Sequence, residues 1–190
     1  MNMNTKTILS IFTIICILAV NNLFSQDDDK FLTAAAKGDL AKVSSMVKKG
    51  TDVNTKNNLK WTALSYAAKY GHLSIVEFLV EKGANINYKN NTGFTPMLIA
   101  YLNNQSEVLE FLVEKGADPN IPDMVGMSVL AYAVKENKIK VVKLLIEKAK
   151  ADINIKNSSG RTPMDIVADE EIKKYLKSKG GKTGKELLAD

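Results

Sequence analysis

Apolar residues recur at helical spacing in three stretches: Ile75, Phe78 and Leu79, then Val108, Phe111 and Leu112, then Val141, Leu144 and Leu145. Such a stripe predicts a helix with one face turned to a core. A shorter apolar run stands ahead of the first two, in "WTALSYAA" and "FTPMLIAY", and "RTPMDIVA" repeats it near the end. In each run a threonine precedes the apolar residues, where its hydroxyl can cap the first helical N–H groups. Pro96 and Pro163 fall at the first helical position, where a missing N–H costs nothing. Asp29 is expected to cap the first helix in the same way. These first helices should stop at Gly38, Gly71, Asn104 and Asn137, residue types that tolerate the left-handed conformation of a helix end. The second helices should stop at Gly50, Gly83 and Gly116. Connections such as "ANINYKNNTG" combine Asn and Gly and predict a tight, hairpin-like turn.

The landmarks are periodic. "VEKGANIN" at 80–87 returns as "VEKGADPN" at 113–120, an offset of 33 residues. Thr62, Thr95, Ser128 and Thr162 follow in steps of 33, 33 and 34, and Ala67, Ala100, Ala133 and Val167 keep the same phase. So do Asn54, Asn87, Asn120 and Asn154. The small residues Ala34, Ala35, Ala67, Ala68 and Ala100 allow a neighbouring helix to approach closely. One such unit cannot bury both faces of its helices, whereas a stack of units can.

The first 25 residues stand apart from this pattern. Lys6 precedes an apolar run of 13 residues, Ile8 to Val20, and the polar "NNLFSQDDDK" follows. As a helix the run would span about 20 Å, short of a bilayer core of roughly 30 Å. Residues 1–25 therefore read as a secretory signal peptide cleaved after Ser25, leaving Gln26 first; an uncleaved anchor is the alternative. "TIIC" before Cys16 lacks the small residues that precede a lipidated cysteine. The remaining 165 residues make about five units of 33, with expected bounds 26–57, 58–90, 91–123, 124–157 and a capping unit at 158–181. Residues 182–190 are expected to be a flexible basic tail. The mature part has no cysteine, so an oxidising compartment leaves it without disulfides.

The pattern resembles the ankyrin repeat, in "GFTPMLIAY", "AAKYGHLSIVEFLVEKGANIN" and "VEKGADPN". The likeness runs over nearly all of residues 28–180. It implies an all-α solenoid of stacked helix-turn-helix units with protruding hairpin-like loops, and a role in binding proteins. Several positions depart from the family pattern. The histidine of its T-P-L-H motif is replaced by Ser65, Leu98, Ala131 and Asp165, so the hydrogen bonds it usually makes between repeats must be replaced or lost. Lys60 stands where the family has a turn glycine. "EKAKADIN" has an extra residue and no terminating glycine, which is expected to weaken the joint between the fourth and fifth units. The shortened "VADEEIKKYLKSKG" suits a terminal cap with a hydrated outer face.

Charge and chemistry add little that is catalytic. Without Lys6 the chain holds 25 basic against 21 acidic residues, and Lys and Glu are interspersed, which suggests solvated helix faces rather than a nucleic-acid groove. His72 is the only histidine, and Asp39, Gln105 and Lys138 fill its phase in other units, so it reads as a turn or capping residue. A zinc site needs about four ligands of suitable type. The Asp and Asn residues of "GTDVN", "GANIN", "GADPN" and "KADIN" recur once per unit, as turn residues bonded to nearby backbone do. "GGKTGK" evokes a phosphate loop, but Leu176 stands where that motif requires its first glycine. No metal, cofactor or catalytic residue is assigned.

The residue just before each helix cap is Trp61, Phe94, Met127 and Arg161 in turn. The resemblance places this position on the concave, hairpin side, where such proteins contact partners, and stacking would line the four up. These side-chain types are enriched at interfaces, and Tyr70, Tyr88 and Leu102 would widen the patch. The alternative is that they pack on adjacent hairpins. The expected protein is a monomeric, non-catalytic binding module, exported to the periplasm or secreted, with no membrane association after cleavage. It holds a protein partner and no nucleic acid. The competing readings are an inhibitor or accessory factor of a co-exported enzyme, a hydrolase using loop carboxylates, and a structural spacer.

Overall fold

The computed structural model describes residues 27–189. The expected signal peptide, residues 1–25, with its expected cleavage point at Ser25, and Gln26 lie outside the described residues. Helix α1 covers residues 27–37. It pairs with α2 (Leu40–Lys48), followed by the pairs α3 (Ala63–Tyr70) and α4 (Leu73–Glu81), α5 (Pro96–Leu102) and α6 (Ser106–Glu114), and α7 (Val129–Lys135) and α8 (Ile139–Glu147). The last pair is α9 (Pro163–Ile166) and α10 (Glu170–Ser178), and a 3-10 turn, Glu186–Leu188, closes the chain. Among the described residues there is no strand, only an isolated bridge between Lys56 and Thr62. The result is an all-helical repeat stack of five units.

The helix starts form where the hydroxyls stand. Thr62, Thr95 and Ser128 accept the N–H of Ser65, Leu98 and Ala131 at 3.2–3.3 Å. Asp29 does not act this way, because the chain is already helical at residue 27. The left-handed stops fall at Gly38, Gly71, Asn104 and Asn137, with φ between 56° and 79°. In the last unit α9 is only four residues long, because Val167 turns to an extended backbone (φ −68°, ψ 129°) and leads straight into α10.

The core is a continuous row of the apolar residues that set the periodicity. Ile75, Leu79, Leu112, Leu145, Ile172 and Leu176 are fully buried. Each such side chain contributes about 1.5–3 kcal/mol through burial. Ala67, Ala68, Ala100 and Ala133 are buried at the crossings between first helices.

Between units the hydrogen bonds come from residues the sequence pattern did not single out for that purpose. Asn54 Oδ1 accepts the N–H of Asn85, Asn87 that of Asp118, Asn120 that of Asp152 and Asn154 that of Lys182, all at 2.7–2.9 Å. The partners Asp52, Asn85, Asp118 and Asp152 accept the N–H two residues on, closing the local turn. One residue per unit thus shapes the loop, and the residue two positions on ties it to the neighbouring unit. At the former T-P-L-H histidine positions, Ser65 bonds only within its own unit, to Thr62 at 3.0 Å.

One expectation at the end of the chain needs correction. Residues 182–189 are not a free tail. Gly180 ends α10 at φ 88°, Gly181 N–H reaches Leu176 O at 2.8 Å, and Lys182 takes its place in the asparagine series. Asp165 then accepts the N–H groups of Thr162 and Gly184, at 2.8 and 2.7 Å. The extra residue of "EKAKADIN" is accommodated where it stands. Lys150 itself adopts the left-handed conformation, φ 61°, and Ala151 and Asp152 return to register.

Candidate functional site

Each hairpin is folded around one Asn or Asp side chain. Asn57, Asn90, Asp123 and Asn157 each accept, through Oδ1, the N–H groups two and four residues on, at 2.9–3.0 Å. The residue four on is Trp61, Phe94, Met127 or Arg161, so the expected column is fixed at its backbone by the hairpin. Adjacent hairpins join as well. Asn91 N–H bonds Leu59 O at 3.1 Å, Met124 N–H bonds Thr92 O at 3.4 Å and Ser158 N–H bonds Val125 O at 3.2 Å. Glycine is required at Gly93, where φ is 80° and a Cβ would lie 2.8 Å from Met124 N.

A second contact locks the hairpin to the helix behind it. Asn57 Nδ2 donates to Tyr66 Oη at 3.0 Å, and Tyr132 Oη donates to Asp123 Oδ2 at 2.7 Å. Burial and the Asp123 carboxylate push the Tyr132 hydroxyl up to about 12. Ile99 occupies the matching position in the third unit, and the buried Asn90 Nδ2 accordingly lacks a partner among the described residues.

The column side chains meet different fates. Trp61 is half-buried and tilted against Tyr66, ring centroids 5.1 Å apart. Phe94 is half-buried and packs on the core. Met127 is buried, with Asn157 Nδ2 at 3.8 Å from its sulfur, which is packing on the neighbouring hairpin. Arg161 is exposed and donates to Asp165 O at 2.6 Å. Of the widening residues, Tyr70 joins Trp61 through Lys69, whose ammonium lies 5.5 Å from the Trp61 ring and 5.2 Å from the Tyr70 ring. Tyr88 lies instead under Lys56 at 5.5 Å, and Leu102 is half-buried against the core.

Sequence reasoning missed the most exposed apolar side chains on this edge. Leu59, Met124 and Val125 sit on hairpin tips and are 61%, 73% and 59% exposed. Their signal was available: "NNLKW" and "DMVGM" place apolar residues in turns otherwise built from Asn and Gly.

His72 serves the stack. It starts α4 and makes no capping bond of its own. Its Nε2 lies 3.0 Å from Ala36 O in the preceding unit, which assigns the proton to Nε2. Gln105 repeats the contact, donating to Lys69 O at 3.2 Å. Both reach carbonyls at the C-terminal end of a first helix, which have no partner within the helix. Gly38 leaves room for the ring, since a Cβ there would sit 2.8 Å from it. The histidine is architecture.

Acidic side chains near the units' ends are likewise engaged. Tyr175 Oη donates to Glu147 at 2.8 Å, and burial with that carboxylate raises the hydroxyl to about 12. Desolvation pushes the Asp165 carboxyl up, but hydrogen bonds from Thr162 and Gly184 and the Arg161 charge outweigh it and hold the group below its ordinary value. Among the described residues no three His, Cys, Asp or Glu side chains are placed to hold a metal ion.

A family model described as "Ankyrin repeats (3 copies)" matches residues 31–123, and one described as "Ankyrin repeats (many copies)" matches residues 112–167. A comparison with curated proteins finds no match. Repeats of this kind generally mediate protein–protein interaction and are typically non-catalytic. The two matched stretches, the capped helix pairs and the linked hairpins together make this chain a member of the ankyrin repeat family.

Proposed function

We propose that this chain is a non-catalytic scaffold, exported by its N-terminal segment, that holds one protein partner on its hairpin-bearing side. The observation that carries the proposal is the group formed by Trp61, Lys69 and Tyr70, together with Leu59, Met124 and Val125, exposed on tips of the linked hairpins. Aromatic side chains on a rigid support lose little conformational freedom on binding, and Trp and Tyr are frequent energetic anchors of interfaces. Phe94 and Arg161 extend the surface toward the fifth unit, while the buried Met127 supports it from beneath.

The test is capture of the native partner from an extract of the exported compartment. Trp61→Ala with Phe94→Ala is expected to abolish capture while the helical circular-dichroism signal persists. Leu59→Ser with Val125→Ser, at exposed tips where folding is not at stake, is expected to weaken it about tenfold, the scale of losing one or two well-placed apolar contacts. Undiminished capture by both variants would refute the assignment.

A further inference from the structure

The outer face carries a feature that the hairpin side does not explain. The seam between the third and fourth units is held open. Ala35 and Ala68 occupy the small-residue phase of the first helices, but Tyr101 takes that position in α5, only 7% exposed, with its hydroxyl donating to Glu136 at 2.7 Å. Across this seam α5 and α7 meet less extensively than α3 and α5 or α7 and α9, and α6 and α8 less extensively than α2 and α4 or α4 and α6. The contact that His72 and Gln105 make to the preceding unit is also missing. Lys138 stands in their place, exposed, and its side chain makes no hydrogen bond among the described residues.

The consequence is a groove of about 660 Å³ between α6 and α8. Its floor is Leu109, Val141 and Leu144, and an inner recess reaches Tyr101. Ile75 and Val108 are buried at the phase of Val141 in their own units, whereas Val141 is left half-exposed. The rim along α8 is basic, formed by Lys138, Lys140 and Lys148, while Lys143 is shared with Glu171 of α10 at 3.8 Å. Glu110 stands opposite on α6, and Glu147 is already engaged by Tyr175. The units before this seam carry Glu77 and Glu110 at the phase of Lys143, so the outer face changes sign here.

We infer that this groove binds an amphipathic helix with an acidic flank, presented by a protein partner and distinct from the surface proposed above. The nine residues of α8 give a trough ~13 Å long, matched to the apolar face of two to three helical turns. A helix laid between α6 and α8 covers Val141 and Leu144 as the neighbouring second helix covers Ile75. Acidic side chains on the edge toward α8 meet the lysines, which favours this occupant over a neutral or basic helix.

The test uses an ~18-residue synthetic helix with leucines at i, i+4, i+7 and i+11 and glutamates flanking them, beside a twin with lysines for the glutamates. Both are titrated against the purified chain by fluorescence anisotropy. The acidic peptide is expected to bind about tenfold more tightly than its twin, and Lys138→Glu with Lys140→Glu to remove that preference. Trp61→Ala with Phe94→Ala is expected to leave it unchanged. Equal binding of the two peptides, no binding of either, or a preference that survives the lysine substitutions would overturn the inference. Retention on phosphatidylserine vesicles without peptide binding would assign the lysines to a lipid surface and overturn it as well.

Discussion

Replacing Lys60 by glycine should make the protein more stable. Lys60 holds φ at 58°, and the matching residues of the next three hairpins are Gly93, Gly126 and Gly160 at 80°, 77° and 73°. A Cβ in the left-handed region costs an L-residue about 1–2 kcal/mol. Glycine returns about 0.5–1 kcal/mol of that gain, because it also frees the unfolded chain. The net is about 0.5–1 kcal/mol, since the Lys60 ammonium has no ion pair to lose among the described residues. In a domain of this size that raises the melting midpoint by about 1–4 °C. Thermal and urea unfolding followed by circular dichroism read the change, with an unaltered urea slope showing that the unfolded state is comparable. The mirror substitution, Gly93→Ala, should cost about 2 kcal/mol or more, because strain is joined by a clash with the backbone of Asp123 and Met124. An unchanged or lower midpoint for Lys60→Gly would refute the reasoning, and would mean that the first hairpin is not strained at residue 60.

Two further outcomes follow from the fourth and fifth units. Lys150→Gly alone should raise the midpoint by less, because relief of the left-handed strain is partly offset by losing the ammonium's hydrogen bond to Glu147 O at 3.1 Å, whereas deleting Lys150 should lower it, because the left-handed turn that restores Asp152 to register sits at that residue. The Asp165 carboxyl is held below its ordinary value, so its contribution is fully present above the unfolded carboxyl value of about 3.9 and is lost as pH falls through the lower folded value. Acid titration of Asp165→Asn against the parent should show the variant less stable near neutrality and the difference shrinking below about pH 4; a gap independent of pH would remove Asp165 from the account.

Much of the fold was legible because it rests on local chemistry. A threonine before an apolar run caps a helix wherever it stands, and Gly or Asn in fixed phase marks a left-handed stop. The misses arose where a partner lies one unit away. Asn54 and Asn87 were readable as turn formers, but the N–H each accepts belongs to the next unit. Asp29 looked like a cap because it stands one repeat before Thr62, yet the chain is already helical two residues earlier. The tail misread has a similar cause. "GGKTGKE" is Gly- and Lys-rich, a composition that predicts freedom, while its role depends on Asn154 and Asp165, 28 and 19 residues away. At the candidate interface the column was visible as residue types, but its burial was not. Whether Met127 faces outward is decided by Asn157 on the next hairpin, which periodicity does not reveal.

The segment from Lys182 to Leu188 has a consequence for redesign. Gly184 lies so close to Gly160 O that no side chain fits between them, and Asp165 is occupied by its N–H. Residues 182–184 are thereby tied to the loop and short helix of the fifth unit, through Thr162, Asp165 and Gly160. Anything packed against that face has to compete with contacts the chain already makes to itself, so a redesign of the fifth unit must keep Gly184 and Asp165 together or replace both.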